Sequence, residues 1–347
     1  MRIGNYEINC NKQPFIIAEM SGNHNRSLDR ALEIVDAAAD AGAHAIKLQT
    51  YTAETMTMAF DHGEFLISDP KSLWVGESMH SLYEKAHTPW DWHEPIMKRA
   101  KARGLICFSS PFDESAIDFL ENLNVPAYKI ASFECIDLPL IRKAASTGKP
   151  LIISTGMASI TEIAEAVDSA RSSGCKELIL LKCTSTYPAS PANTNLKTIA
   201  HMRDLFRCEV GLSDHTMGVG AAIAAIAYGA TVIEKHFTLS RGDGGVDSTF
   251  SLEPLELASL VVESNRAWQA LGEIHYGPTE SEQKAVLRRR SLYISQDMLA
   301  GDTLNQDNLR RIRPGYGLAP KYYEIVLGRR VKNNEKAGTP LSWELID

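Results

Sequence analysis

The sequence predicts an α/β protein whose main domain is an eight-stranded (β/α)8 barrel. From residue 15 to about residue 271, short apolar runs alternate with amphipathic stretches of helical periodicity. Such alternation is typical of parallel βαβ units. Eight units over roughly 250 residues match the size of a TIM barrel. A doubly wound open sheet is the competing architecture, but no GxGxxG turn follows the first apolar run, which disfavours it.

Eight apolar runs are the candidate strands, and amphipathic stretches separate them. The runs are 15–21, 45–50, 105–112, 127–132, 151–156, 178–185, 209–215 and 232–237. The predicted helices are 28–41, 91–103, 113–123, 137–147, 159–172, 195–206, 217–228 and 254–271. Residues 52–89 interrupt the repeat. A long insertion of this kind at the C-terminal rim of a barrel is usually functional or mobile.

The amino-acid composition of the chain changes after residue 272. Residues 273–286 are rich in Gly, Pro and polar residues, which predicts a linker. From 287 to 347, short β-like pieces (SLYIS, TLNQDNLRRIR and EIVLGRRV) predict a second, β-rich domain. We therefore divide the chain into a barrel at 1–272, a linker and a small domain. A domain of that size is marginal alone, so we expect it to rest on a neighbour.

Composition and charge exclude several classes of partner and location. A net charge of −7 disfavours non-specific binding to nucleic acid or to an anionic membrane. The first residues lack the apolar core of a signal peptide, and the stretch 221–233 is shorter than the ~20 residues of a membrane-spanning helix. Six cysteines show no CxxC spacing. The sequence therefore predicts a cytoplasmic protein without a disulfide framework.

Two histidines end the last two candidate strands and predict a metal site. His215 closes the run 209–215, and His236 lies at the end of the run 232–237. The carboxyl ends of barrel strands meet at one rim, where enzymes of this architecture carry out their chemistry. Neutral imidazole with a nearby carboxylate suits Zn²⁺, Mn²⁺ or a similar borderline ion. Each histidine could instead be a hydrogen-bonded structural residue.

Lysines and serines end other candidate strands and predict an oxyanion site, most simply for a phosphate. Lysine supplies charge, whereas serine hydroxyls supply directed donors. Two alternatives stay open: Lys47 and Lys129 could form a structural ion-pair ring with Glu19 and Glu234, and Lys182 could be the Schiff-base lysine of an aldolase. The predicted polar ring comprises Glu19, Lys47, Gln49, Ser109, Ser110, Lys129, Ser132, Glu134, Ser154, Lys182, Thr184, Tyr187, Ser213, Asp214, His215, Glu234 and His236.

Several of these strand ends resemble the N-acetylneuraminate (sialic acid) synthase family. The matching segments are AEMSGNHN (18–25), IKLQTY (46–51), FSSPFD (108–113), YKIAS (128–132), IISTGMAS (152–159), GLSDHT (211–216) and EKHFTL (234–239). The tail, with NLRRIRPGYGL (308–318) and GTPLSWELI (338–346), resembles the antifreeze-like SAF domain of that family. The resemblance covers essentially the whole chain, and its motifs occur in order at successive strand ends.

The resemblance implies condensation of phosphoenolpyruvate with an amino sugar aldehyde to give a nonulosonic acid and phosphate. It also implies a divalent metal, Mn²⁺ by preference and otherwise Mg²⁺ or Co²⁺, and a homodimer with swapped SAF domains. The implied ligands of phosphoenolpyruvate are Lys47, Ser110, Lys129, Ser132, Ser154 and Ser213. The other implied roles are His215 and His236 for the metal, and Gln49, Tyr187, Asp247 and the partner-reaching Arg313 for the sugar. Lys47 and Lys129 would also stabilise charge, and Glu134 or Glu19 would be the base for the attacking water.

Three segments resemble the pseudaminic acid synthase branch of the family: 87–95, 109–121 and 313–320. That branch takes 2,4-diacetamido-2,4,6-trideoxy-L-altrose, whereas the neuraminic and legionaminic branches take N-acetylmannosamine-type sugars. A 6-deoxy sugar calls for a more apolar pocket. Aromatic residues of the insertion could supply that surface or could pack the insertion onto the barrel: Phe60, Phe65, Trp74, Tyr83, Trp90 and Trp92. A non-catalytic carbohydrate-binding protein remains a rival, suggested only by the antifreeze-like tail.

Overall fold

The computed structural model describes residues 1–70 and 72–347, which form two compact units, Met1–Gly272 and Glu273–Asp347. The first unit is a closed barrel of eight parallel strands, so the predicted fold class is confirmed. The barrel strands are β3 (Phe15–Glu19), β4 (Ala45–Thr50), β5 (Ile106–Pro111), β6 (Tyr128–Ile130), β7 (Leu151–Ser154), β8 (Leu178–Cys183), β9 (Glu209–Asp214) and β10 (Val232–His236). They pair in chain order, and β10 closes the ring on β3.

A short hairpin precedes the barrel, and the sequence did not predict it. Its strands are β1 (Arg2–Ile3) and β2 (Tyr6–Glu7). Ile3 and Ile8 are buried in the same apolar cluster as Phe15 and other residues near the amino ends of the barrel strands. The hairpin therefore closes the end of the barrel opposite to the predicted catalytic rim.

The barrel strands alternate between two apolar environments, as the period of two in a strand requires. Inward-facing side chains such as Ile17, Phe108 and Ile179 fill the barrel interior. Outward-facing side chains such as Ile16 and Leu180 pack in the layer beneath the surrounding helices. This parity decides which polar side chains at the strand ends face the mouth of the barrel.

The helices of the first unit lie close to their predicted positions. The bounds are α1 (Leu28–Asp40), α2 (Ala53–Met56), α3 (Met79–Ala86), α4 (His93–Ala102), α5 (Glu114–Asn122), α6 (Leu138–Ser146), α7 (Ile160–Ser172), α8 (Lys197–Phe206), α9 (Gly220–Ala227) and α10 (Pro254–Leu271). Side-chain caps explain several starts: Ser27, Asp113 and Asp137 each accept a hydrogen bond from a backbone N–H of the first turn. Ser159 and Glu162 form a capping box at α7.

The insertion at 52–89 has structure of its own, including α2 and α3. Its aromatic residues divide between packing and the site. Phe60 pairs with Phe65 and Tyr83 contacts Tyr51, while Trp92, just after the insertion, lies edge-on to His24. Of the six aromatic residues singled out from the sequence, Trp74 reaches the region of the candidate site described below. Most of this aromatic surface therefore anchors the insertion.

The second unit is built on short strands around its own small core. Strands β11 (Ser291–Ile294) and β12 (Leu309–Ile312) are antiparallel. The segment 273–286 begins this unit and contains α11 (Gln283–Val286). The prediction that EIVLGRRV is β-like was wrong at its start, where α12 (Tyr323–Val326) forms a helical turn. Val326 and Val331 of this segment are buried in the core of the unit; core packing therefore overrides the β-propensity of Ile and Val.

Within the described residues, none of the helices combines the length and apolarity that a membrane crossing needs. All six cysteines are free thiols, four of them buried. Arg288, Arg289 and Arg290 of the second unit are exposed.

Candidate active site

Strand parity places most of the predicted site residues on the inner face of the barrel, at the carboxyl ends of its strands. The pairing registers align Glu19 with both Lys47 and His236, Gln49 with Ser110, and Glu234 with Ser213. The inward positions also include Lys129, Ser154 and Cys183, each two residues beyond an interior apolar residue. All eight strands therefore contribute a polar or thiol side chain to this inner layer.

Four ionisable groups form the centre of this layer. Lys47 Nζ contacts Glu19 Oε2, lies 3.9 Å from Glu234 Oε2 and donates a hydrogen bond of 3.2 Å to Ser110 Oγ. Lys129 Nζ lies 3.8 Å from Glu234 Oε1 and donates to the carbonyl of Ile130 at 3.2 Å. All four charged side chains are buried. The four side chains considered from the sequence as an ion-pair ring therefore lie together, in the order Glu19, Lys47, Glu234 and Lys129.

The protonation of the cluster follows from burial and from the pairing. Burial raises the pKa of Glu19 above its usual range, although the Lys47 ammonium opposes that shift. Burial would also raise the pKa of Glu234, but Lys129 and Lys47 outweigh it and hold that pKa below its usual range. Burial lowers the pKa of Lys129. Glu234 is thus the carboxylate that keeps the two ammonium groups charged, and Glu19 is the group closer to taking up a proton.

Serine hydroxyls line the side of the mouth next to Lys129. Ser154 Oγ is buried and has no hydrogen-bond partner within the described protein. Ser132 Oγ lies 2.7 Å from Ser185 Oγ. Gly156 allows this approach, because its φ is +48° and a Cβ there would lie 2.5 Å from Ser132 Cβ. Two ammonium groups beside buried hydroxyls can bind a phosphate through charge and directed donors.

His215 and His236 meet as predicted, with ring centroids 5.3 Å apart. His215 Nδ1 lies 3.0 Å from the Thr184 carbonyl, so donation from Nδ1 leaves Nε2 with a free lone pair. His236 Nδ1 is buried without a hydrogen-bond partner and lies 3.9 Å from Asp247 Oδ2. Residues 1–70 and 72–347 contain no cluster of three or more His, Cys, Asp or Glu side chains with metal-binding geometry. The two imidazoles fit a divalent ion whose other positions a substrate or water would fill.

Aromatic rings enclose the histidine pair. The Tyr187 ring lies 4.5 Å from His215, and the Phe250 ring lies 4.9 Å from His236. Trp74 lies 6.2 Å from Tyr187 and donates from Nε1 to the Val246 carbonyl at 3.0 Å. The insertion therefore reaches the loop that carries Asp247 and adds an apolar wall to the mouth.

Asp247 and Gln49 are joined through Ser21. The hydroxyl of Ser21 donates to Asp247 Oδ2, and Gln49 Nε2 donates to Ser21 Oγ at 3.3 Å and to Glu19 Oε1 at 2.9 Å. Burial raises the pKa of Asp247, and the hydroxyl of Ser21 opposes that shift. This chain of hydrogen bonds leads from the lysine cluster to the histidine pair, so polar groups line the mouth between them.

Glu134 belongs to the short 3-10 helix Phe133–Ile136, which directly follows β6. Its Oε2 is buried without a hydrogen-bond partner. Burial raises the pKa of Glu134 to about 7, although Lys129 opposes the shift. A carboxyl group that titrates near neutral pH is suited to general acid–base chemistry.

Two predicted residues lie elsewhere. Lys182 has the opposite parity to the site residues, because Leu180 on the same face of β8 packs in the outer layer. Its Nζ donates to the carbonyl of Cys183 at 2.5 Å. This position contradicts the Schiff-base alternative. Arg313 is an exposed residue of the second unit.

Sequence reasoning missed several residues around the mouth: Ser21, Cys183, Ser185 and Phe250. Cys183 was detectable from strand parity, since it is the last inward position of β8. Its Sγ lies 3.9 Å from His215 Nδ1. Ser21, Ser185 and Phe250 follow strand ends in irregular segments, where no periodicity marks the direction of a side chain.

The NeuB family model matches residues 34–276, and the SAF domain model matches residues 289–347. The chain is 41% identical to a pseudaminic acid synthase of Campylobacter jejuni over 98% of both chains. It is 40% identical to a pseudaminic acid synthase of Helicobacter pylori, over 96% of this chain and 98% of that protein.

A solved structure gives the same result at the level of the fold. The N-acetylneuraminic acid synthetase of Leptospira borgpetersenii, crystallised with citrate, is 34% identical and superimposes with a TM-score of 0.73. The match covers 82% of this chain and 94% of that chain. These similarities agree with the family resemblance seen in the strand-end motifs.

Proposed function

The chain belongs to the NeuB family, and from that premise we propose that it is a pseudaminic acid synthase. It condenses phosphoenolpyruvate with 2,4-diacetamido-2,4,6-trideoxy-L-altrose and water to give pseudaminic acid and phosphate. The observation that carries this proposal is the buried inward layer in which Lys47 and Lys129 lie beside unpartnered Ser154 and close to the histidine pair. A binding protein for a neutral sugar has no need of that charge.

The lysine cluster is assigned to phosphoenolpyruvate. Lys47 and Lys129 bind its phosphate and carboxylate, and Glu234 keeps both ammonium groups charged before the substrate arrives. Hydroxyl donors surround the two lysines: Ser110, Ser132, Ser154 and Ser213. When phosphoenolpyruvate binds, its oxygens replace the water around the two ammonium groups. The contacts between these charges are stronger in a mouth that excludes water.

His215 and His236 would hold a divalent ion, Mn²⁺ by preference and otherwise Mg²⁺ or Co²⁺. Such an ion supplies Lewis-acid polarisation of a sugar aldehyde oxygen. The chain orients the two imidazoles through the Thr184 carbonyl at His215 and through Asp247 beside His236. Asp247 can also accept a hydrogen bond from a sugar hydroxyl in place of the one that it accepts from Ser21.

The reaction needs one base and one anion site. C3 of phosphoenolpyruvate attacks the aldehyde carbon, and C2, which becomes cationic, takes up water. The aldehyde oxygen takes up a proton and becomes a hydroxyl, while the base removes a proton from the added water. The resulting phosphate hemiketal then forms the C2 ketone and loses phosphate by cleavage of its C–O bond. Glu134 fits the base better than Glu19, because its Oε2 is unpartnered whereas Glu19 is bound by Lys47 and Gln49. Glu19 instead orients Lys47 and Gln49.

The aromatic wall supports a 6-deoxy sugar. The rings of Tyr187 and Phe250 lie against the histidine pair and the ring of Trp74 lies beside Tyr187, so this wall is mainly aromatic. Gln49 and Asp247 remain as hydrogen-bonding groups for the acetamido and hydroxyl substituents. N-acetylneuraminate or legionaminic acid synthesis is the alternative within the family. It would require a hydroxyl partner on this apolar wall.

A homodimer with swapped SAF domains is part of the proposal. Apolar side chains are exposed on neighbouring segments of the catalytic rim: Phe133 (56%), Ile136 (62%), Met157 (61%) and Ile160 (55%). Helix α7 packs against the 3-10 helix that carries Phe133 and Ile136, so the patch is continuous. In the proposed dimer a second copy covers this patch, and its SAF domain supplies Arg313 to the anionic substrate.

We also propose a cytoplasmic location, which the free thiols support.

The deciding experiment is phosphate release from phosphoenolpyruvate with each candidate sugar, with and without Mn²⁺. We expect release with the diacetamido-trideoxy-altrose, and a rate at least tenfold lower with N-acetylmannosamine and with the diacetamido-mannose of the legionaminic branch. Chelation should abolish release, and Mn²⁺ should restore it. Release with none of the three sugars would overturn the synthase proposal, and preference for another sugar would reassign the branch. Borohydride trapping should leave the enzyme active, since Lys182 faces away from the mouth.

A further inference from the structure

Lys235 is a fully buried lysine on the outward face of β10, between the inward residues Glu234 and His236. Its Nζ lies 2.9 Å from Asp214 Oδ2, 2.5 Å from the Thr216 carbonyl and 2.8 Å from the Gly218 carbonyl. An ammonium group has three N–H donors and no acceptor. These three acceptors therefore satisfy it without water or ligand.

All three acceptors belong to the segment that carries His215. Asp214 precedes the histidine, Thr216 follows it, and Gly218 lies in the turn before α9. Asp214 Oδ1 also accepts a hydrogen bond of 2.9 Å from the Thr216 backbone N–H, which closes the turn around His215. One side chain from the strand of His236 is thus bonded on both sides of the other histidine.

A stabilising role alone does not explain this arrangement. Desolvation of two charges offsets most of what a buried ion pair gains, so such pairs contribute little net stability. Burial lowers the pKa of Lys235, and Asp214 opposes that shift. The cation also lies outside the barrel interior, so it contacts neither the lysine cluster nor the mouth. What it does control is the position of one imidazole relative to the other.

We propose that Lys235 is a positioning residue, which fixes the turn at His215 against the strand of His236 and thereby sets the affinity for the divalent ion. This inference rests on the metal role given to the two histidines in the proposed function. Groups that orient metal ligands typically change metal affinity by about 10–100-fold when removed. His215 keeps two other tethers, from Nδ1 to Thr184 and from its carbonyl to the Ala189 N–H. The effect should therefore lie near the lower end of that range.

The test uses the full-length protein, freed of metal, and Mn²⁺ as the probe. Mn²⁺ binding is measured by electron paramagnetic resonance without substrates, and phosphoenolpyruvate binding is measured separately by calorimetry. We expect Lys235→Met to raise the dissociation constant for Mn²⁺ by about tenfold or more. The dissociation constant for phosphoenolpyruvate should stay within about twofold. If Lys235 were merely structural, its loss would weaken the binding of Mn²⁺ and of phosphoenolpyruvate equally, or would weaken neither.

Two further variants keep the test decisive. Lys235→Met leaves Asp214 as an unpaired buried charge and the variant could fail to fold for that reason. The double variant Lys235→Met, Asp214→Asn removes both charges, and its Mn²⁺ affinity is the deciding measurement in that case. Arg203→Met is the matched control, because Arg203 bonds Glu209 and the Gly229 carbonyl at the amino end of β9. It should lower the melting temperature and leave Mn²⁺ affinity unchanged.

Failure of the role of Lys235 and failure of the metal assignment give different results. A folded single or double variant that binds Mn²⁺ as tightly as the parent overturns the role of Lys235 and leaves the metal site intact. If the parent and His215→Ala bind Mn²⁺ equally, the metal assignment itself is wrong, and the role of Lys235 is overturned with it.

Discussion

Lys129 Nζ lies 3.8 Å from Glu234 Oε1, and both side chains are almost completely buried at the mouth of the barrel. The separation exceeds hydrogen-bonding distance, and Glu234 Oε1 instead accepts a hydrogen bond of 3.0 Å from Ser213. Glu234 therefore balances the charge of the ammonium group without occupying its donors. That relationship suits a lysine that must stay protonated and still bind an anion.

The first prediction concerns Lys129. Lys129→Met should raise the KM for phosphoenolpyruvate by about 10–100-fold, since a hydrogen bond to a charged group contributes about 1.5–3 kcal/mol. The measurement is the initial rate of phosphate release against phosphoenolpyruvate concentration. Lys143→Met is the control, because Lys143 forms an ion pair with Asp118 on the outer surface. An unchanged KM in Lys129→Met would exclude this lysine from the phosphate site.

The second prediction concerns the serine side of the mouth. In Gly156→Ala, the new Cβ would meet Ser132 and Ser185 at 2.5–2.7 Å, so the serine hydroxyls must move apart. We expect about a tenfold or greater loss of kcat/KM for phosphoenolpyruvate. Gly148→Ala is matched to it: its φ is +74°, equally unfavourable for alanine, but nothing lies within 4 Å of the new Cβ. Equal losses in both variants would indicate backbone strain and not displacement of the serines.

The third prediction concerns the pH dependence of the reaction. Because burial raises the pKa of Glu134 to about 7, the carboxylate base is lost as the pH falls through that value. The kcat/KM for phosphoenolpyruvate, which reports groups of the free enzyme, should therefore fall on the acid side of about pH 7 and level off above it. In Glu134→Gln we expect kcat/KM to be lower by about 10²–10⁴-fold, without that acid limb. Rates should be recorded from pH 5.5 to 8.5 at saturating metal and sugar, over a range of phosphoenolpyruvate concentrations.

The control for Glu134 is Glu162→Gln. Glu162 is a partly exposed residue that caps α7 near the same rim, and glutamine can serve equally at that position of a capping box. Its pH profile should match that of the parent. If Glu134→Gln kept the acid limb, Glu19 would be the remaining candidate for the group that titrates, since burial raises its pKa as well.

Position at the strand ends predicted much of the site from the sequence, and strand periodicity explains which of those residues face the mouth. Residues two apart on a strand face the same way, so an ionisable residue two positions beyond an interior apolar residue must point into the barrel. That rule places Glu19 after Ile17, Lys47 after Ala45 and Lys129 after Ala127. It applies because barrel strands have a regular geometry and because burying a charge without a role is costly.

The remainder depends on contacts that no local pattern encodes. The hairpin strands β1 and β2 are two residues long, too short to show any period. Phe250 reaches His236 from a loop. From the sequence, Lys235 can be identified only as a lysine of opposite parity. The carbonyls of Thr216 and Gly218, which accept its hydrogen bonds, lie next to it because of the turn after β9. The helical turn at Tyr323–Val326 arises because the small core of the second unit needs Val326 there.

The last prediction concerns Arg313 and the proposed swapped dimer. Arg313→Ala should weaken sugar binding, whereas His215→Ala should abolish activity because the barrel loses a metal ligand. If each mouth takes its arginine from the other subunit, a heterodimer of these two variants contains one complete site: the barrel with intact His215 receives the intact Arg313. Co-expression with two different affinity tags isolates that heterodimer. We expect about half of the parental activity per dimer, although each homodimeric variant is impaired. If arginine and histidine act within one chain, neither subunit has a complete site, and an inactive heterodimer would exclude the swap.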